Sequence, residues 1–285
     1  MKLMPKHILL LSLLFSYNTY AQMFTEVNEK AIQDEYEAIF KNSSDESKLK
    51  AADEFLVSFR QNLYKNGAYS YPFEALRMGK LTSPDDKFRL FNWNVNLTNG
   101  QEKYYGLIVI PKKDQVEIIT LYDKSDEVEN PEQAALSDQK WLGALYYRII
   151  AFKKGGRPHY ALLGWDGFSN TTNKKVIEVM SFNGGGVKFG SSVFNKGKST
   201  QKRILFEYAE DAVMSLKYDK KLKSIVFDHL APIGNHIDSQ KEFFAPDMTF
   251  DAYSFKKGKW HFIDNIEFLR PNGKSDKDFK DPRKN

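Results

Sequence analysis

Three observations predict a mainly β protein of the α+β class, in which a helical segment precedes an antiparallel β-meander. Apolar residues recur at steps of three and four before residue 66, and they alternate with polar residues after about residue 80. Short turns rich in lysine and glycine separate the alternating segments, as hairpin corners require. We therefore expect the meander to form a sandwich, an open barrel or a small propeller-like domain.

The helical region is assigned to residues 22–80, and residues 25–66 are its helices. The run Ser43-Ser44-Asp45-Glu46 fits a capping box at a helix start, and Asn66-Gly67 supplies the stop. One apolar stripe follows the capping box: Leu49, Ala52, Leu56, Phe59 and Leu63. The opposite side is polar, so this helix is expected to lie as a cap on the rest of the chain, with Thr25 to Phe40 as its shorter partner.

The β-rich domain is assigned to residues 81–268. Its predicted strands are rich in aromatic and β-branched residues: 88–97, 104–110, 116–122, 145–152, 160–165, 176–182, 203–208, 213–218, 222–228, 250–255 and 259–264. One insertion, Pro131 to Trp141, is predicted to be helical because Asn130 can cap it and proline suits the first helical position.

The first 21 residues have the composition of a signal peptide. Lys2 and Lys6 precede an apolar run too short to cross a bilayer as a helix, and Thr19-Tyr20-Ala21 fits a cleavage site before Gln22. A periplasmic or secreted protein is expected, without a membrane-spanning segment after cleavage. Residues 269–285 are polar and aperiodic, and they are predicted to be a disordered tail.

The amino-acid composition excludes some classes of function and argues against others. The chain has no cysteine, which excludes thiol chemistry and a disulfide scaffold. Without the signal peptide, 40 Lys and Arg face 37 Asp and Glu, a net charge of +3, and both signs are interspersed. Nucleic-acid binding is not expected, because it would need a stripe of positive charge.

The most metal-like cluster is Asp228-His229 with His236 and Asp238. Neighbouring residues of a strand point to opposite faces, so Asp228 and His229 are not expected to reach one ion. No paired-histidine motif is present, and the sequence predicts neither a metal site nor a cofactor. His229 is kept as a candidate ligand-binding residue at the end of its strand.

Trp165 and Asp166 are the other candidate ligand-binding residues. They lie in Gly164-Trp165-Asp166-Gly167, which is interpreted as a loop that leaves an apolar strand. The spacing of a calcium loop is absent, and a plain turn, in which Asp and Asn bond their own backbone, explains the motif better. No nucleophile elbow or phosphate loop accompanies it, so no catalytic residue is assigned.

Five segments resemble an uncharacterised family of exported proteins from Bacteroidota-type bacteria. They are TSPDDKFRLFNWN, YALLGWDGFSNTTNKKVIEVMSF, KRILFEYAEDAVMSLKYD, IVFDHLAP and PDMTFDAYSFKKGKW, and the likeness spans about Ser83 to Phe268. That family has no assigned activity. The resemblance therefore implies a compartment and a shared fold, and it carries over no functional residue.

Two functions remain open at this point. The first is a non-enzymatic periplasmic or envelope protein that binds or scaffolds an unknown envelope protein or a glycan. The second is a carbohydrate-active hydrolase that uses paired carboxylates, with the Trp165-Asp166 segment and the Asp228-His229 boundary at its mouth. Convergence of those two segments on one concave pocket would favour the hydrolase.

Overall fold

The computed structural model describes residues 23–184, 186–234 and 240–266. The predicted signal peptide, the predicted tail from residue 269, and His236 and Asp238 lie outside these ranges. The described elements, in chain order, are α1 (Glu26–Lys41), α2 (Asp45–Leu63), β1 (Gly79–Thr82), β2 (Arg89–Asn96), β3 (Glu102–Pro111), β4 (Val116–Tyr122), β5 (Leu136–Ser137), β6 (Leu145–Lys154), β7 (Arg157–Asp166), β8 (Thr172–Asn183), β9 (Gly186–Phe189), β10 (Phe194–Lys196), β11 (Ser199–Gln201), β12 (Ile204–Ala209), β13 (Leu216–Asp219), β14 (Ser224–Pro232), β15 (Phe244–Lys256) and β16 (Lys259–Ile263).

The described elements form four layers, one of helices and three of sheet. The first sheet has the order β1-β2-β3-β4, and the second has the order β5-β9-β8-β7-β6 with β12 paired to β8. The third sheet has the order β11-β10-β16-β15-β14-β13. Among the pairs of named strands in the described ranges, β10 with β16 is the parallel one, and the others are antiparallel. The predicted mainly β fold with helices first is confirmed, and the sheets pack face to face as in a sandwich.

The helical layer follows the predicted amphipathic pattern with two differences. Ser44, rather than Ser43, caps α2, because its side chain accepts a hydrogen bond from the backbone N–H of Ser47. Asp45 instead accepts two bonds from Thr98, one from its N–H at 3.0 Å and one from its hydroxyl at 2.6 Å. The buried stripe of α2 is Ala52, Phe55, Phe59 and Leu63, while the predicted Leu49 and Leu56 are only half-buried.

Strand alternation explains how a sheet can serve two cores. Phe91, Trp93 and Val95 of β2 pack against the helices, whereas Leu90 packs against the second sheet. The second sheet repeats this arrangement, since Tyr160 and Leu162 of β7 face the first sheet and Ala161 and Leu163 face the third. Both faces of β7 are therefore apolar from Tyr160 to Leu163, whereas β2 has Asn92 and Asn94 on the same side as Leu90.

The predicted helix from Pro131 to Trp141 is wrong. Asn130 has a positive φ of 44°, outside the extended conformation of a helix cap, and Leu136–Ser137 pairs with β9. The guanidinium of Arg203 donates to the carbonyl oxygens of Pro131 and Ala134, the latter at 3.0 Å. Arg203, which is 69 residues from Ala134 in the sequence, thus binds carbonyl oxygens that would accept backbone N–H groups in a helix.

The lysine-rich turns join antiparallel neighbours, as the sequence predicts. Phe152 to Gly155 connects β6 with β7, Tyr218 to Lys221 connects β13 with β14, and Phe255 to Gly258 connects β15 with β16. Gly155 and Gly258 have positive φ angles of 55° and 78°, which glycine adopts without strain.

Within the described ranges no helix has the length and apolar character needed to cross a membrane.

Candidate ligand groove

Trp165 and Asp166 are the last two residues of β7 and do not lie in a loop. They pair with Lys175 and Lys174 of β8, respectively, so the strand predicted at 160–165 is confirmed for Trp165, and the interpretation of Asp166 as a loop residue is wrong. The strand continues through them because β8 supplies a partner for every residue up to Asp166. Alternation then places the Asp166 side chain toward the first sheet and the Trp165 side chain toward the opposite face.

Asp166 meets the first sheet through Tyr104 of β3. The Tyr104 hydroxyl donates a hydrogen bond of 2.9 Å to Asp166 Oδ1 and accepts one of 2.9 Å from the backbone N–H of Gly167. The backbone N–H of Tyr104 donates in turn to Oδ2 of the buried Asp123, at 3.0 Å. These bonds hold the Asp166 carboxyl at the junction between the first two sheets.

A second carboxyl, that of Glu102, faces the same space from the start of β3. Asn94 on the neighbouring strand donates its amide N–H to Glu102 at 3.0 Å. Burial raises the pKa of Glu102, and the nearby Asp166 carboxylate raises it further. Glu102 and Asp166 both line a cavity of about 320 Å³, which we call the Asp166 cavity.

Burial is also the largest influence on Asp166. It raises the pKa of that carboxyl from 3.8 to about 6, although the Tyr104 hydrogen bond and Lys174 oppose the shift. The folded protein therefore holds a proton on Asp166 at a pH where an unfolded chain has lost it. Ionising this group above pH 6 costs folding free energy, because the charge forms in a poorly solvated place.

Replacing Asp166 with Asn is expected to change stability in a pH-dependent way. The favourable contribution of the raised pKa is present below pH 4 and is lost as pH rises through about 6. The free energy of unfolding of Asp166→Asn, minus that of the wild type, should therefore rise by about 2 kcal/mol from pH 4 to pH 8. Urea unfolding at both pH values measures this difference. Asp126→Asn, an exposed charge on the rim of the same cavity, controls for the loss of one negative charge. An Asp166→Asn difference that does not vary with pH would contradict the assignment.

Trp165 lines a neighbouring open depression of about 440 Å³, the Trp165 depression. Burial raises the pKa of the Tyr208 phenol, and a hydrogen bond between its hydroxyl and the Trp165 side chain opposes this shift. Gly167 lies between Trp165 and Glu102, where a Cβ would come within 2.6 Å of the indole ring and 2.9 Å of Glu102 Cγ. Only glycine permits this close approach, so Gly167 forms the wall between the depression and the Asp166 cavity.

His229 lies elsewhere on the same edge of the molecule. It is at an irregularity in β14, where the pairing with β15 shifts between Asp228 and Leu230. Its Nδ1 is 2.8 Å from Oδ2 of the buried Asp251, and this contact raises the pKa of the imidazole. Asp228 accepts a hydrogen bond from the backbone N–H of Ser215, and Asp228 and His229 both line one cleft, so the expectation that they do not reach one ion stays a prediction.

His229 lines a cleft of about 550 Å³ between the second and third sheets, the His229 cleft. The His229 cleft and the Asp166 cavity share Pro131, Lys174 and Leu205, while the Asp166 cavity and the Trp165 depression share Leu97, Glu102 and Gly167. The three candidate residues thus occupy three adjoining parts of one groove rather than one pocket. We call the whole the ligand groove.

Lys174 lies at the centre of the ligand groove. Its ammonium stands 2.8 Å from the ring centroid of Phe168 and 3.8 Å from Glu207 Oε2. Burial lowers the pKa of Lys174, and the carboxylates of Glu207 and Asp166 oppose that shift. Two further cation–aromatic pairs line the His229 cleft, Lys196 on Phe262 and Lys241 on Phe244.

Sequence reasoning did not find Glu102, Tyr104 or Lys174. Tyr104 and Asp166 are 62 residues apart, and nothing in either local pattern indicates that β3 faces β7 at that point. Trp93 and Trp260 are each 1 % exposed and belong to the core. Trp165 is the half-buried exception among these three.

Comparison with protein-family models, with curated proteins and with solved structures finds no match for this chain.

Proposed function

We propose that this chain is an exported protein that binds a glycan of the cell envelope in the ligand groove and does not alter it chemically. The observation that carries the proposal is the continuity of the groove, in which each depression shares wall residues with the next. A chain ligand of several units needs such an extended site, whereas a small molecule needs a single enclosed pocket. The signal-peptide composition of residues 1–21 supports export.

The chemistry of the wall supports a polyhydroxylated ligand. Sugar hydroxyls both donate and accept hydrogen bonds, and the groove offers carboxyl groups at Glu102 and Asp166 beside the ammonium of Lys174. Apolar side chains alternate with these groups, among them Leu97, Val128, Pro131, Leu142 and Leu205. Such a surface can receive the C–H face of a sugar ring and its hydroxyls together.

Binding should depend on Lys174, because it lines both the Asp166 cavity and the His229 cleft. Lys174→Met keeps the aliphatic stem and removes the charge, and we expect at least about tenfold weaker binding. Lys175→Met is the matched control, since Lys175 is the next residue of β8, points to the other face and contacts Tyr147. The measurement is a titration of soluble envelope-glycan fragments, followed by fluorescence or calorimetry. Equal loss in both variants, or tight binding of peptides but not glycans, would contradict the proposal.

One observation favours the second candidate, a glycan hydrolase. Glu102 and Asp166 come from facing sheets and line one cavity, and burial raises the pKa of Asp166 to about 6, as a general acid requires. The two candidates differ in a single readout. A binding protein releases no reducing ends from a glycan that it binds, whereas a hydrolase does so and loses this activity in Glu102→Gln while retaining the glycan.

A further inference from the structure

The third sheet ends in a group of polar side chains that the glycan proposal does not use. Within the described part of the chain, one His229 nitrogen and carboxylate oxygens of Asp251 and Asp264 lie within 4.8 Å of one another. These residues come from β14, from β15 and from the residue that follows β16. Two adjacent strands and the residue that follows a third therefore bring one ligand atom each to the same place.

Strand alternation places Asp251 on the same face as Tyr253, while His229 lies at the irregularity of β14 and Asp264 directly after β16. In each of these three segments the polar residue is two positions from a buried or half-buried aromatic: Phe227 and His229, Tyr253 and Asp251, Phe262 and Asp264. Tyr253 pairs directly with Phe262, and Asp251 pairs with Phe227. Residues two apart on a strand lie on the same side, so Asp251 borders the aromatic row at the edge of the core.

Local contacts fix two of the three groups. Asp251 is 4 % exposed, and its Oδ1 accepts a hydrogen bond of 3.0 Å from the backbone N–H of Asn265. The next residue, Ile266, donates its N–H to the carbonyl oxygen of Phe250 at 2.7 Å. These bonds fold the chain after β16 back against β15, which holds the adjacent Asp264 beside Asp251. The irregular pairing of β14 at His229 turns the imidazole toward them, as bulges commonly do.

We propose that His229, Asp251 and Asp264 bind a zinc ion at the edge of the His229 cleft. One imidazole nitrogen and two carboxylates suit zinc, whereas magnesium and calcium prefer oxygen ligands alone. Three protein ligands leave a further position for water or for a ligand group. His229 and Asp251 also line the His229 cleft, so the open position faces the ligand groove. The proposal does not depend on glycan binding.

The test is a titration of the chelator-treated, full-length purified protein with zinc chloride, followed by calorimetry and by thermal unfolding. We expect saturation at about one zinc ion per chain and a zinc-dependent rise in Tm. His229→Ala and Asp264→Asn should each weaken binding by more than about tenfold and remove the rise in Tm. Asp264 is exposed, so its variant should fold normally.

His261→Ala is the matched control. His261 is an exposed histidine of β16 that alternation places on the opposite face from Asp264, and its loss should leave zinc binding unchanged. The proposal fails if the wild type shows no saturable zinc binding, or if His229→Ala and Asp264→Asn bind zinc as the wild type does. It also fails if magnesium or calcium competes with zinc at equal concentration.

Discussion

Arg203→Met is expected to lower the free energy of unfolding by about 3–5 kcal/mol, because it leaves a buried carboxylate without its partner. Arg203 and Glu178 are both fully buried, and Arg203 Nε donates to Glu178 Oε2 at 2.7 Å. Burial already raises the pKa of Glu178, and Arg203 is the main opposing influence. Without the guanidinium, Glu178 must either carry an unpaired charge in the core or take up a proton at neutral pH.

The same substitution also affects the ligand groove. Arg203 donates to the carbonyl oxygens of Pro131 and Ala134, and Pro131 forms part of the wall shared by the Asp166 cavity and the His229 cleft. The double variant Glu178→Leu/Arg203→Met also removes the unpaired Glu178 carboxylate, but the carbonyl oxygens of Pro131 and Ala134 still lack the guanidinium donor. We therefore expect it to recover only part of the lost stability.

An exposed ion pair provides the control. Lys112 and Glu117 are separated by 2.8 Å, almost the distance of the buried pair, but their side chains are 51 % and 49 % exposed. Lys112→Met should cost less than about 1 kcal/mol, because water screens the charge that remains. Urea unfolding of both variants measures the contrast. A cost below 1 kcal/mol for Arg203→Met would show that the core tolerates Glu178 without its partner.

The layers were predictable from the sequence to the extent that local pattern decides them. In long strands such as β3 and β7, successive side chains pack into two different cores, and lysine- and glycine-rich turns indicate antiparallel neighbours. These strands can therefore be predicted from the sequence. The short β5 cannot, because the carbonyl oxygens of Pro131 and Ala134 that precede it accept hydrogen bonds from the distant Arg203 and its own residues pair with β9. Local propensity favours a helix there, and a distant side chain outweighs it.

The candidate site shows the same division. Trp165, Asp166 and His229 were selected because they are polar or aromatic residues at the ends of predicted strands, although β14 continues past His229 to Pro232. Their partners could not be selected, because Tyr104, Glu102 and Asp251 belong to other strands whose register the sequence does not specify. The alternation of aromatic and polar residues at 227–229, 251–253 and 262–264 was a usable signal, but only once β14, β15 and β16 are known to be neighbours.

Phe59→Ala is expected to destabilise the whole protein by about 3–5 kcal/mol, although Phe59 belongs to the helical region. Its ring is fully buried and contacts four other aromatic rings at centroid distances between 5.2 and 6.4 Å: Phe55, Phe73, Phe91 and Trp93. Two of these, Phe91 and Trp93, lie on β2 of the first sheet. The cavity left by the ring would therefore open at the boundary between the helices and the sheet.

Val57→Ala is the matched control, since Val57 lies two residues earlier on α2 and is 57 % exposed. It should change stability by about 0.5 kcal/mol or less. The shape of the transition is as informative as its midpoint. If the helices and the first sheet share one core, thermal unfolding of Phe59→Ala should remain a single transition at a lower temperature. Two separate transitions, with the β-sheet signal unchanged, would instead show that residues 22–80 fold as an independent unit that merely rests on the sheet.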